Sequence, residues 1–148
     1  MPASLAATPR PASPNVGRAP SAYEPGVCNI GPAEIARRRR AGHVGTVLTL
    51  VVLGVLVAID APPLARLVLV LPAAGAASGY LQAWLHFCAG FGSRGIFNFG
   101  ALGETHGVTD LTARARDRAR ARQIGGASLG IGLAVALVAV LLGALAPL

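Results

Sequence analysis

Two cysteines, Cys28 and Cys88, and three histidines, His43, His86 and His106, are the side chains in this 148-residue chain best suited to holding a metal or cycling electrons. Their spacing argues against a shared ion. His86 and Cys88 are two positions apart, which on a helix sets them about 200° around the axis, so they converge only if the helix breaks between them. No Cys-x-x-Cys or His-x-x-x-His pair occurs, nor any nucleophile–base, phosphate-cradling or paired-carboxylate arrangement. The chain is therefore expected to need no metal or cofactor and to have no catalytic activity of its own. A thiol or metal redox component using Cys28 and Cys88 stands as the alternative.

The next candidates are polar residues in apolar surroundings. Gln82 and His86 sit within a long apolar run, where an uncharged polar or titratable group usually serves a function. A channel or transporter subunit assembled from several copies around them is a further alternative. Downstream, "FCAGFGSRGIFNFGALGETHG" (87–107) mixes four phenylalanines with five of its glycines and places Arg94, Asn98 and Glu104 among them. Glycines let the chain leave a helix and phenylalanines hold it at a lipid boundary, which predicts either a re-entrant or interfacial loop around a small polar pocket or a plain connector lying along the membrane.

What must position these residues is apolar. Hydrophobic residues make up 53% of the chain, charged ones 13%, and mean hydropathy is +0.59, far from the balance of a water-soluble domain. Uncharged runs cover about 44–59, 67–91 and 125–145, long enough to predict an all-α membrane protein with three transmembrane helices and cytoplasmic interfacial helices. The tight proline-bearing turn at 60–66 makes the first two spans antiparallel neighbours. The loop at 92–124 ends in "VTDLTARARDRARARQI", read as a helix opened by Thr109 or Asp110, with Asp117 pairing to Arg114 and Arg120. Residues 1–27, rich in proline and alanine, are expected to be a disordered cytoplasmic head, and 28–148 the three-span domain.

All 13 basic residues are arginine, and the pI is near 11.3. Nucleic-acid binding does not follow, because the arginines flank apolar runs and no base-stacking platform accompanies them. Arg37, Arg38, Arg39 and Arg40 precede the first span, and Arg114, Arg116, Arg118, Arg120 and Arg122 precede the third. By the positive-inside rule this puts the N-terminus and long loop in the cytoplasm and the C-terminus outside. The same arginines are candidates for contact with anionic lipid headgroups, a larger membrane complex or further copies of the chain. A twin-arginine export signal is disfavoured, since no clean cleavage site follows Ile59 and two more apolar runs do. Before the first span, Gly31 is a candidate cap, Pro32 suits the first helical position, and Glu34 faces Arg37 and Arg38 at i+3 and i+4.

Small residues recurring every four positions predict the packing faces: Gly75, Gly79 and Ala83 on the second span, Gly126 and Gly130 on the third with Gly132 and Ala136 beyond. At "CNIGPAEIARRRRAG" and "LQAWLHFCAGFGSRGIFNFG" the chain resembles a group of small, arginine-rich, multi-spanning bacterial membrane proteins of unknown function. That resemblance covers about 28–148. It implies a protein of the cytoplasmic (inner) membrane and supplies no activity or substrate. The expected role is that of an accessory or scaffold subunit.

Overall fold

Gly31, in extended conformation, caps the first helix, and Pro32 takes the position where a missing N–H costs nothing. In the computed structural model, which describes residues 22–145, that helix (α1, Pro32–Ala58) carries the four arginines straight into the apolar run. It stops where the N–H groups of Ile59, Asp60 and Ala61 turn back to the carbonyls of Val55, Val57 and Leu56. A 3₁₀ helix, Pro63–Leu69, leads directly into α2, Val70–Trp84. The second apolar helix therefore begins at Pro63, takes Arg66 into itself and ends at Trp84, displaced at both ends from the expected 67–91. His86 ends it by adopting φ 52°, a left-handed conformation unusual for any residue but glycine.

A short helix, α3 (Ala89–Arg94), follows and closes on Gly95 at φ 69°. Ile96–Phe97 (β1) and His106–Gly107 (β2) pair antiparallel, so the expected all-α fold carries one two-residue strand pair. Asp110 caps the last helix, accepting from the N–H groups of Thr112 at 2.7 Å and Ala113 at 3.4 Å. That helix, α4 (Leu111–Leu145), is continuous, joining the arginine segment to the third apolar run. The protein is thus mostly helical, with three helices among the described residues long and apolar enough to cross a membrane.

α2 lies between the other two and packs antiparallel against both. Gly42 meets Gly79, and Gly45 meets Ala76, where an added Cβ would come within 2.7 Å of the Ala76 nitrogen. On the other side Gly132 rests on the Val70 carbonyl and Ala74, Leu69 on Ala136 and Ala139, and Phe87 on Ala121 and Ile124. Small residues allow this approach. Of the expected faces, Gly79 and Ala83 are buried, whereas Gly75, Gly126 and Gly130 face open space. The stripe that α4 buries is Ala113, Asp117, Ala121, Ile124, Ser128, Gly132, Ala136 and Ala139. Large apolar side chains such as Val44, Leu50, Leu129 and Leu141 point outward.

Residues 1–21 of the expected disordered head lie outside the described residues. Residues 22–27 form an ordered turn, because Tyr23 and Gly26 are bonded to Asp117.

Gly79→Ala should destabilise the detergent-solubilised protein by about 1–3 kcal/mol, since backbone stands where the new methyl would go. Gly75→Ala and Gly130→Ala should be neutral or stabilising by up to about 1 kcal/mol. Thermal unfolding of the three variants measures both.

Candidate functional site at the polar end of the bundle

The break after α2 releases backbone groups that the helix no longer satisfies, and Asn29 takes them up. Its side chain grips one residue from both sides: Oδ1 accepts from the Cys88 N–H at 2.6 Å, and Nδ2 donates to the Cys88 carbonyl at 3.1 Å. Its main chain donates to the His86 carbonyl at 3.2 Å and accepts from the Asn98 N–H at 3.0 Å. Asn29, Cys88 and Asn98 are buried here. Gly31 continues the zipper, donating to the Asn98 carbonyl at 2.7 Å, with its Cα against the Phe99 backbone where any side chain would collide. Asn98, also fully buried, holds its own loop by accepting from the Gly100 N–H and donating to the Ala101 carbonyl.

Gln82 belongs to the same junction. Its Nε2 donates to the Ser78 carbonyl and hydroxyl, and its Oε1 accepts from the Ala89 N–H at the start of α3. Every polar atom of Gln82 is thus used inside the chain, which supplies no support for a pathway built around it. His86 is half-buried beside it and contributes its backbone.

Glu34 is 1% exposed, with Arg37 at 3.7 Å and Arg38 at 3.5 Å. Arg38 turns inward from the other three arginines, donates to Cys88 Sγ at 3.0 Å and lies 5.8 Å over the Phe91 ring. It is half-buried, while Arg37, Arg39 and Arg40 are exposed. Cys88 Sγ also accepts from the Phe91 N–H and so caps α3. Both cysteines are free thiols and buried. Burial raises the pKa of Cys28, partly offset by its contact with the Ile30 carbonyl and reinforced by Glu24. Among the described residues no three His, Cys, Asp or Glu side chains come together in a way that could hold a metal.

Asp117 is the residue whose role spacing misread. It is fully buried, and its expected arginine pairs do not form among the described residues. Instead it accepts from the Tyr23 hydroxyl at 2.8 Å and the Gly26 N–H at 2.7 Å, tying the N-terminal turn to α4. Tyr23 stacks on Phe97 at 4.8 Å between centroids, and Phe97 on His106 at 5.4 Å. Phe87 is buried completely. Phe91, Phe97 and Phe99 are half-buried, and the loop forms a structured cover on the bundle end. Burial first, then the hydrogen bond and charge of Asp117, raise the Tyr23 pKa above its ordinary value of 10.0.

Arg114 lies against Gly95 and Arg116 against Gly26, while Arg94, Arg116, Arg118 and Arg122 are exposed and Arg120 half-buried. Glu104 and His106 are exposed on the same cover, whereas His43 stands apart with its ring 2.7 Å from the Tyr80 hydroxyl. Neither a family model, nor a curated protein, nor a solved structure matches the chain, so no family is assigned to it.

Asn29→Ala should cost about 1–3 kcal/mol for each Cys88 backbone group left buried and unpaired, read by thermal unfolding. The Tyr23 contact needs its proton. Its contribution should be intact below pH 10, the ordinary tyrosine value, and fade as pH rises through the higher folded-state pKa. Limited proteolysis near residue 22 across alkaline pH, with Tyr23→Phe as the pH-insensitive control, follows that loss. Iodoacetamide should leave Cys28 and Cys88 unmodified at neutral pH until the protein is unfolded, as mass spectrometry would show.

Proposed function

We propose that the chain is a three-span protein of the bacterial cytoplasmic membrane, with its arginine-rich end in the cytoplasm and its C-terminus outside. Its role in this reading is that of a non-catalytic accessory or scaffold subunit. One observation carries it: three long apolar helices keep most of their large side chains turned outward, and the arginines gather at one end of them. Only 11% of the most apolar window of α1 is buried, and 22% of those of the other two helices. Among the described arginines Arg66 alone belongs to the opposite end.

Lipid would cover the outward-facing valines and leucines, and arginine retained on one side would fix the orientation. Trp84, 77% exposed at the end of α2, suits the interface. The exposed Arg37, Arg39, Arg40, Arg116, Arg118 and Arg122 are then the groups available to anionic headgroups or an acidic partner, each contributing about 1 kcal/mol near a charged surface. A scaffold role is supported by how the buried polar side chains are used. Asn29, Gln82, Asn98, Asp117 and Ser128 all spend their hydrogen bonds on the chain itself.

With reporter tags at the two ends, the protein should resist carbonate extraction, its C-terminal tag should be reached from outside intact cells and its N-terminal tag should be shielded. The opposite labelling would overturn the orientation, and release into the aqueous fraction would overturn the membrane reading. Purification in mild detergent should bring a partner or further copies; a solitary monomer would remove the scaffold role.

A further inference from the structure

α1 and α4 both lean on α2, and on one face they leave a groove between them. Two adjoining cavities of about 530 and 290 Å³ make it up, sharing Thr49, Leu50 and Val135 in their walls. The alanine face of α2 forms the floor. Tyr80 closes the inner end, held there by His43 and Thr46. At the outer end stands Arg66.

Arg66 is under-used. Its Nη1 donates to the Ala139 carbonyl at 2.8 Å, with the guanidinium lying over Gly143, whose missing side chain makes room for it. Its Nε is buried with no acceptor, and the ion pairs formed among the described residues both belong to Glu34. A guanidinium offers five N–H donors in a planar fork suited to phosphate oxygens.

We infer that this groove holds an acyl chain of an anionic phospholipid, with the phosphate-bearing headgroup on Arg66. The inference rests on the membrane reading above. Thr46 and Val57 mark the groove's two ends on α1, about 16 Å apart at 1.5 Å per residue. An acyl chain is about as long as half of a ~30 Å hydrocarbon core, so one entering beside Arg66 has the length to run the groove toward Tyr80. In a second copy of this protein the one acid adjoining the apolar runs is Asp60, directly after 44–59, and it carries no phosphate. The hydrocarbon itself gains little, since it exchanges lipid neighbours for valine and leucine of equal polarity. Selectivity therefore comes from the headgroup, at about fivefold for one anion–arginine contact.

The test uses the full chain in nanodiscs of equal phosphatidylglycerol and phosphatidylcholine, extracted gently and weighed by native mass spectrometry. One retained phosphatidylglycerol, favoured about fivefold over phosphatidylcholine, is expected. Arg66→Gln should bring the two lipids to parity. Ala134→Phe fills the groove without touching Arg66 and should remove the retained lipid, which keeps the test open if Arg66→Gln folds poorly. Gly126→Ala, outside both cavities, should leave retention unchanged. Equal retention of both lipids by the unaltered chain, or a second copy retained in place of lipid, overturns the inference while leaving the membrane reading in place. Failure to enter nanodiscs at all overturns both.

Discussion

A helix that stops within a packed region leaves amides and carbonyls that water does not reach, and each one left unpaired costs on the order of a kilocalorie or more. In this protein the stop is at residues 85–88, and the polar end of the molecule is arranged around satisfying it. Asn29 bonds the Cys88 peptide with its side chain and the His86 carbonyl with its backbone, and Gln82 reaches forward to the first amide of α3. Because Asn29 lies just before α1, the same bonds fix where the first helix begins. Through the Asn98 backbone they also fix the loop that carries the strand pair. One buried residue, through its side chain and its backbone together, therefore ties the start of α1 to the end of α2, the start of α3 and that loop.

The apolar part of the bundle obeys a different constraint. Valine and leucine surround α1 and the second half of α4 on nearly all sides, so burial of apolar area does not select a contact face. Shape does. Backbones meet where side chains are smallest, at Gly42 with Gly79, Gly45 with Ala76, and Gly132 with Val70 and Ala74. The central position of α2 follows, since it alone offers small residues to two neighbours: Ala76, Gly79 and Ala83 toward α1, and Ala74 toward α4.

Much of this architecture is legible in the sequence, and the exceptions have physical reasons. Three apolar helices, the Gly31–Pro32 start, and the Asp110 start follow from hydropathy and capping chemistry, which are local. The end of α2 was not legible, because no proline or glycine marks residues 85–88; the helix breaks there in favour of Asn29, which is 59 positions away from Cys88. Four-residue spacing pointed to Gly126 and Gly130, with Gly132 and Ala136 beyond; only the last two belong to the contacting stripe, which also takes in Ala113, Asp117, Ala121 and Ser128. That stripe could have been found by counting alanine and serine as small and asking why the one acid among the α4 arginines falls on it. Asp117 is on the buried face, so its partners are Tyr23 and Gly26, and the arginines around the helix are left facing outward.

That arrangement separates three uses of one residue type. Arg38 is half-buried and turned toward Glu34, Cys88 and Phe91. Arg66 lies along an apolar groove with donors to spare. The remaining arginines have few partners within the chain, and the length of α4 says where those on it must stand. Its 35 residues extend about 52 Å, well beyond a ~30 Å hydrocarbon core, so the turns bearing Arg114 to Arg122 project past any bilayer the rest of the helix could fill. A free helix there would be weakly held, with five arginines repelling one another and a single acid among them. The turn at residues 22–27 docks on Asp117 and braces it, so that the projecting arginines are presented on a fixed surface.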